Sequence, residues 1–223
     1  MASKQIVVIG AHPDDEILGA GATLARHVQA GDDVHAVVVS EGASSRCADE
    51  MKAALEEQAR ESARTIGFAS LRLEGLPDQR LDTVPFIELT QRLEAILEKV
   101  RPHILYTHFP EDVNADHGLV AKAAWTACRP YSQPQLEMFA VFATPSSSEW
   151  TWPTPQGTFR PNYFVDVTDT IDVKVAAMAC YRTELRPYPH PRSERALRER
   201  AAYWGSVIGR TAVEPFEILR RVR

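Results

Sequence analysis

Short β-branched runs alternate with longer amphipathic stretches through the first half of the chain. Ile6 to Gly10 (IVVIG) is a continuous apolar run, the pattern of a strand covered on both faces. Ile17 to Ala30 has helical periodicity and stops at Gly31. Val34 to Ser40 (VHAVVVS) predicts a second strand. Glu50 to Ile66, rich in Ala, Glu, Lys and Arg, predicts a helix closed by Gly67. A short strand near Leu71 to Leu73 follows, then a helix from Pro85 to Val100 ahead of Pro102. His103 to Thr107 (HILYT) predicts another strand, and residues 117–128 a helix ahead of Pro130. Strands alternating with helices of this length predict right-handed βαβ units and an α/β fold with a mainly parallel sheet.

The second half is organised differently. Glu137 to Thr144 and Tyr163 to Val167 read as strands, Ile171 to Tyr181 and 194–208 as helices, forming a C-terminal β/α extension. RPYPHPRS (186–193) is a proline-stiffened turn. The segment PSSSEWTWPTPQGTFRP (145–161) is long for a connection inside a compact domain, which points to function. No repeat, low-complexity tract or linker interrupts the chain, so one domain is expected over 1–223.

Composition narrows the classes. The chain has 223 residues, 44% apolar and 25% charged, and a chain of that size buries about 70% of its extended surface without needing disulfides. A net charge of -5 argues against a general binder of nucleic acid or anionic membrane. Residues 181–223 hold ten arginines, no lysine and five glutamates; a solvated, Arg-rich surface helix accounts for this better than an anion-binding tail. Cys47, Cys128 and Cys180 are odd in number and widely spaced, as free thiols in a reducing compartment would be. The opening MASKQIVVIG lacks the apolar length of a signal peptide, and no later run is long enough to span a bilayer. A cytoplasmic location is expected.

Ligands of parallel α/β sheets gather at the carboxyl ends of the strands. The first strand runs into Ala11-His12-Pro13-Asp14-Asp15-Glu16, and HILYT runs into HFPEDVNADH (108–117). Together these two segments hold three of the seven histidines. An imidazole and a carboxylate from the first, with an imidazole from the second, would make a two-His, one-carboxylate set. Such sets hold catalytic zinc and leave a position open, and they also suit Fe(II). Of the adjacent Asp14 and Asp15, one would ligate and the other would serve as general base. Capping is the alternative: Asp14 or Asp15 for the helix beginning near Glu16, and Asn114 or Asp116 for the helix after His117. GAGATLA (19–25) has the look of a dinucleotide fingerprint. It lies inside a predicted helix rather than at the strand-to-helix turn, and reads as small-residue packing.

VVIGAHPDDEILGAGATLA, SEGASSR and THFPEDVNADH together resemble the LmbE-like / PIG-L family of zinc-dependent N-deacetylases. The resemblance implies a Rossmann-like three-layer sandwich. It implies His12, Asp15 and His117 as zinc ligands, one ion per subunit, with Asp14 as general base. Arg46 matches a position that contacts substrate. The implied reaction is removal of the N-acetyl group from an N-acetylglucosamine-type sugar or its conjugate. Alternatives are an amidase acting on a larger acyl or thiol-sugar conjugate, a nucleotide-binding domain using the Gly19 region, and a metal-binding protein without turnover.

One position departs from the family. Asn114 stands where many members carry a histidine, and an amide can neither shuttle a proton nor become a cation. Asn114 is expected to donate to substrate or to cap the helix, and Asp116 to orient a neighbour or cap it too. ELRPYPHPRS resembles a segment of the diacetylchitobiose-deacetylase-like branch, whose C-terminal histidine reaches the site of a neighbouring subunit. His190 is the corresponding catalytic candidate, which implies a homo-oligomer (a trimer or hexamer) with composite sites. Trp150 and Trp152 are candidates for stacking on a sugar face. Asp112 is a candidate acceptor for sugar hydroxyls or an outer partner of a ligand.

Overall fold

The structure, a computed structural model, describes residues 3–43, 49–155 and 157–222. β1 (Gln5–Gly10) is buried from Ile6 onward. Its alternating side chains feed two separate cores, Val7 and Ile9 one and Ile6 and Val8 the other. A strand covered on both faces has no polar side, which is why IVVIG is unbroken.

The first half follows the expected alternation. β1 leads to α1 (Asp15–Gln29), β2 (Asp33–Ser40), α2 (Asp49–Ile66), β3 (Ser70–Leu76), α3 (Phe86–Val100), β4 (Ile104–His108) and α4 (Ala115–Ala127). β5 (Met138–Phe142), β6 (Tyr163–Asp166), α5 (Ile171–Cys180), α6 (Glu194–Ile208) and β7 (Val213–Arg221) complete it, with short 3-10 turns at Leu81–Thr83 and Ser148–Trp150. Among the described residues the strands form one sheet in the order β3-β2-β1-β4-β5-β7-β6. The first five are mutually parallel; β7 runs antiparallel to both β5 and β6. Leu89, Leu93, Leu97 and Val120 of α3 and α4 pack on one face. Ile17, Leu24, Ala59 and Met178 of α1, α2 and α5 pack on the other. This is the three-layer α/β sandwich anticipated above.

β7 is the element that the hydrophobic pattern missed. Pro215 sits inside it and its end is rich in arginine, both unlike an interior strand. The register explains the tolerance. Val213–Phe216 pairs only with β6, while β5 engages Glu217–Arg221. Pro215 therefore lies where β7 has one partner, and its missing N–H costs no second ladder.

Gly19 settles the role of the glycine-rich stretch. It lies in α1, and a Cβ there would overlap the Phe142 ring of β5. The glycine lets helix and strand approach, as small-residue packing requires.

Candidate active site

β1 and β4 are central neighbours, and chain order reverses between them, so their carboxyl ends flank the switch point of the sheet. His12, Asp14 and Asp15 follow β1. Residues 108–117 run from the last residue of β4 into α4. The sheet thus brings the two motif segments together.

Three donor atoms form a nearly equilateral triangle. His12 Nδ1 and Asp15 Oδ2 are 3.3 Å apart, His117 Nε2 and Asp15 Oδ2 3.3 Å, and His117 Nε2 and His12 Nδ1 3.3 Å. A tetrahedral centre with bonds of about 2.0–2.1 Å has donors about 3.3–3.4 Å apart. The spacing and the donor types fit a divalent metal held by these three residues, all of them buried.

Each ligand is held from behind. His12 Nε2 lies 3.1 Å from Asp116 Oδ2, and Asp116 Oδ1 accepts the Leu81 N–H. The Gln79 amide, on a residue with φ 53°, lies 3.0 Å from the same His12 nitrogen. His117 Nδ1 faces Asp112 Oδ1 at 3.3 Å. Carboxylates behind metal-binding imidazoles fix the tautomer and ring orientation. The Asp15 carboxylate accepts the His12 N–H at 2.8 Å. Burial opposes protonation of His12, but Asp116 and Asp15 outweigh it and push the imidazole up to about 10. For His117 burial is likewise outweighed, by Asp15 and Asp112, and the value is about 9. The cluster attracts positive charge, which suits a cation.

Asp14 and Asp15 are pushed apart. Burial would raise Asp15, but the charge of His117 outweighs it and holds the carboxyl well below the usual carboxylate range. Asp14 is raised well above it, by burial and then by the charge of Asp15, with Arg192 opposing. Neighbouring carboxyls driven in opposite directions are the pattern of divided acid and base roles. Asp14 occupies the N-cap position of α1 at φ 104°, ψ -25°, without making a side-chain cap hydrogen bond. The capping alternative is thus not realised there. A non-glycine residue rarely adopts this conformation, and such strain concentrates at functional sites.

A cavity of about 140 Å³ opens on the cluster, lined among others by His12, Asp14, Gln79, Asn114, His117 and Arg192. Asn114 both lines it and caps α4 by accepting the Asp116 N–H at 2.9 Å. Asp112 does not reach it. Its carboxylate lies beneath His117 and accepts from the Ser147 and Ser148 hydroxyls and the Asn114 N–H. This is the outer-partner alternative, and it draws the long 145–161 segment into supporting the site. Trp150 is 58% exposed and not among the lining residues. Trp152 borders a separate groove with Phe159 and Trp204. His190 does not line the cavity of its own chain; its Nδ1 accepts the Arg192 N–H at 3.1 Å. Arg46 and Cys47 lie outside the described residues.

Three participants escaped the sequence reading. His108, fully buried, stacks on His117 with centroids 3.9 Å apart. Its Nε2 accepts the Ala11 N–H at 2.8 Å, and its Nδ1 lies 3.0 Å from Thr144 Oγ1. Burial and the His117 charge lower it to about 4, so it braces the loop as a neutral ring. Its place at the end of a strand was the available signal. Gln79 and Arg192 carried none, since one lies in an ordinary turn and the other among many arginines. Arg192 lies in the turn just ahead of α6, and its side chain is 17% exposed and contacts Asp14.

The model of the PIG-L family, described as GlcNAc-PI de-N-acetylase, matches residues 7–128 and so takes in both motif segments. Diacetylchitobiose deacetylase of Thermococcus kodakarensis is 24% identical over 221 residues, covering 95% of this chain and 81% of that protein. The uncharacterized deacetylase YaiS of Escherichia coli is 30% identical over 190 residues, 81% of this chain and 91% of its own. A 4-oxalmesaconate hydratase of Pseudomonas putida is 27% identical over 201 residues, 79% and 72% of the two chains. Among solved structures, the conserved protein TT1542 of Thermus thermophilus superposes with a TM-score of 0.78 at 25% identity, covering 99% of this chain and 96% of that one. No helix among the described residues is long and apolar enough to cross a membrane.

Proposed function

This chain belongs to the PIG-L family of GlcNAc-PI de-N-acetylases, and from that premise we propose that it is a zinc-dependent hydrolase removing the N-acetyl group from an N-acetylglucosamine-type amino sugar or its conjugate. The observation that carries the reading is the 3.3 Å triangle of His12 Nδ1, Asp15 Oδ2 and His117 Nε2, with the Asp14 carboxyl beside it on the cavity. The diacetylchitobiose deacetylase among the relatives supports the substrate class.

His12, Asp15 and His117 would hold the metal, which when bound supplies Lewis acidity toward the amide carbonyl and brings water toward ionisation near neutral pH. Asp14 accepts a proton from the water that attacks the acetyl carbon, then returns it to the departing amine nitrogen as the C–N bond breaks. Acetate and a free amino sugar are the products. Asp116 and Asp112 hold the His12 and His117 rings in the tautomers that present Nδ1 and Nε2 inward. Asn114 has a side-chain N–H to offer the substrate while its oxygen caps α4.

The test is product analysis with the purified, zinc-loaded chain on N-acetylglucosamine, diacetylchitobiose and N-acetylglucosaminyl thiol conjugates. Acetate release that chelation abolishes and zinc restores is the expected result. A longer acid in place of acetate would make the chain an amidase of larger acyl groups. Hydration of added 4-oxalmesaconate, with no acetate released from the sugars, would align it with the Pseudomonas hydratase. Tight zinc binding with no turnover on any of these would leave a metal-binding protein.

A further inference from the structure

The turn between α5 and α6 brings a cation to the cavity from a part of the chain that neither motif segment reaches. We propose that Arg192 is a positioning residue for Asp14: its guanidinium, anchored on Glu184, fixes the carboxylate in the orientation from which it exchanges the proton. This rests on the deacetylase reading and names a residue that the resemblance did not supply.

The geometry is that of an anchor and a guide. Arg192 Nη1 donates to Glu184 Oε2 at 2.7 Å and to Asp14 Oδ2 at 3.3 Å. The short bond fixes the guanidinium, and the longer one reaches the reacting group. The Glu184 and Asp14 side chains are each 5% exposed. In such a setting a charge-assisted hydrogen bond is stronger than in water. The Asp14 backbone, at φ 104°, turns its side chain away from capping α1. The carboxylate is left to be oriented by contacts from elsewhere in the fold.

Arg192 itself lies in the turn directly ahead of the α6 N-cap. Ser193, the next residue, caps α6 by accepting the Ala196 N–H at 3.1 Å. His190 Nδ1 holds the Arg192 N–H. The C-terminal histidine singled out from sequence thus braces the residue that touches Asp14. Asn114 cannot become a cation. Arg192 is the one Arg or Lys among the described residues lining the cavity. Two carboxylates share its charge, so a neutral replacement would leave both without it. An error of about 1 Å in a reacting group costs about 10²-fold in rate, which is the scale a positioning residue controls.

The experiment compares Arg192→Gln, Arg192→Lys and Glu184→Gln in the full chain, each assayed for bound zinc, melting temperature, kcat and KM, with a crystal structure of Arg192→Gln. The expected result is zinc content and melting temperature near wild type, and an Asp14 carboxylate displaced in the Arg192→Gln crystal. Its kcat should fall about 10²-fold with KM within about threefold. Arg192→Lys should recover about tenfold of that loss, since the charge remains and only the planar fork is lost. Glu184→Gln should fall between them. An Asp14 carboxylate that stays in place, a loss confined to KM, or loss of zinc or fold in Arg192→Lys would each overturn the proposal. If the wild-type chain releases no acetate from any substrate, the deacetylase reading fails by itself, and the position of Asp14 in the Arg192→Gln crystal still decides the positioning role.

Discussion

His12 and Asp116 are 104 positions apart in the chain, yet His12 Nε2 lies 3.1 Å from Asp116 Oδ2. The same carboxylate accepts the Leu81 N–H through its other oxygen. One side chain therefore ties the end of β1, the turn at Leu81 and the first turn of α4. Asp116→Ala should weaken zinc binding by about 10–100-fold, the usual effect of losing a partner behind a ligating imidazole. Competition against a chelator of known affinity checks this. Unchanged affinity would show that His12 needs no such support.

Asp14→Asn keeps the shape of the side chain and removes its basicity. We expect kcat to fall by about 10²–10⁴-fold while zinc stays bound. Metal analysis beside steady-state kinetics separates the outcomes: loss of zinc would make Asp14 a ligand, and near-normal turnover would make it neither ligand nor base.

His27 lies outside the site. Its Nδ1 is 2.7 Å from Asp32 Oδ2 and its Nε2 3.1 Å from the Tyr106 hydroxyl. Burial lowers its pKa despite Asp32. The unfolded chain, with an ordinary histidine near pKa ~6.5, then takes up the proton first. The stability linked to His27 is present above that pH and lost as pH falls below it. Urea denaturation of wild type and His27→Gln between about pH 7.5 and 5 should show a shallower acid loss in the variant. A wild-type chain that gains relative stability on acidification would reverse the sign.

Gly19→Ala should destabilise the fold. The added methyl meets the Phe142 ring, an overpacking that costs about 1–3 kcal/mol, against a gain of about 1 kcal/mol from helix propensity. A lowered melting temperature that Phe142→Leu partly restores would support packing as the role of GAGATLA. A higher one would remove it.

Much of the protein follows from local pattern. An apolar run such as IVVIG must be covered on both sides, so it declares a central parallel strand, and the helices between such runs fix the βαβ order. The carboxyl ends of β1 and β4 could be named as the site because strand ends in this topology are where side chains converge. Hence a two-His, one-carboxylate set drawn from these two segments was legible, and the family resemblance picked out His12, Asp15 and His117 within it. β7 was not, since its tolerance of Pro215 depends on which neighbour each residue faces. Nor could sequence choose among polar residues with several possible partners. Asp112 turned beneath His117, Asn114 capped α4, and Arg192, which carried no sequence signal, met Asp14. Periodicity records which face of an element is buried, because burial acts on every residue in turn. The pairing of one charged group with another is a matter of a few ångströms between distant segments, and only the folded chain sets that distance.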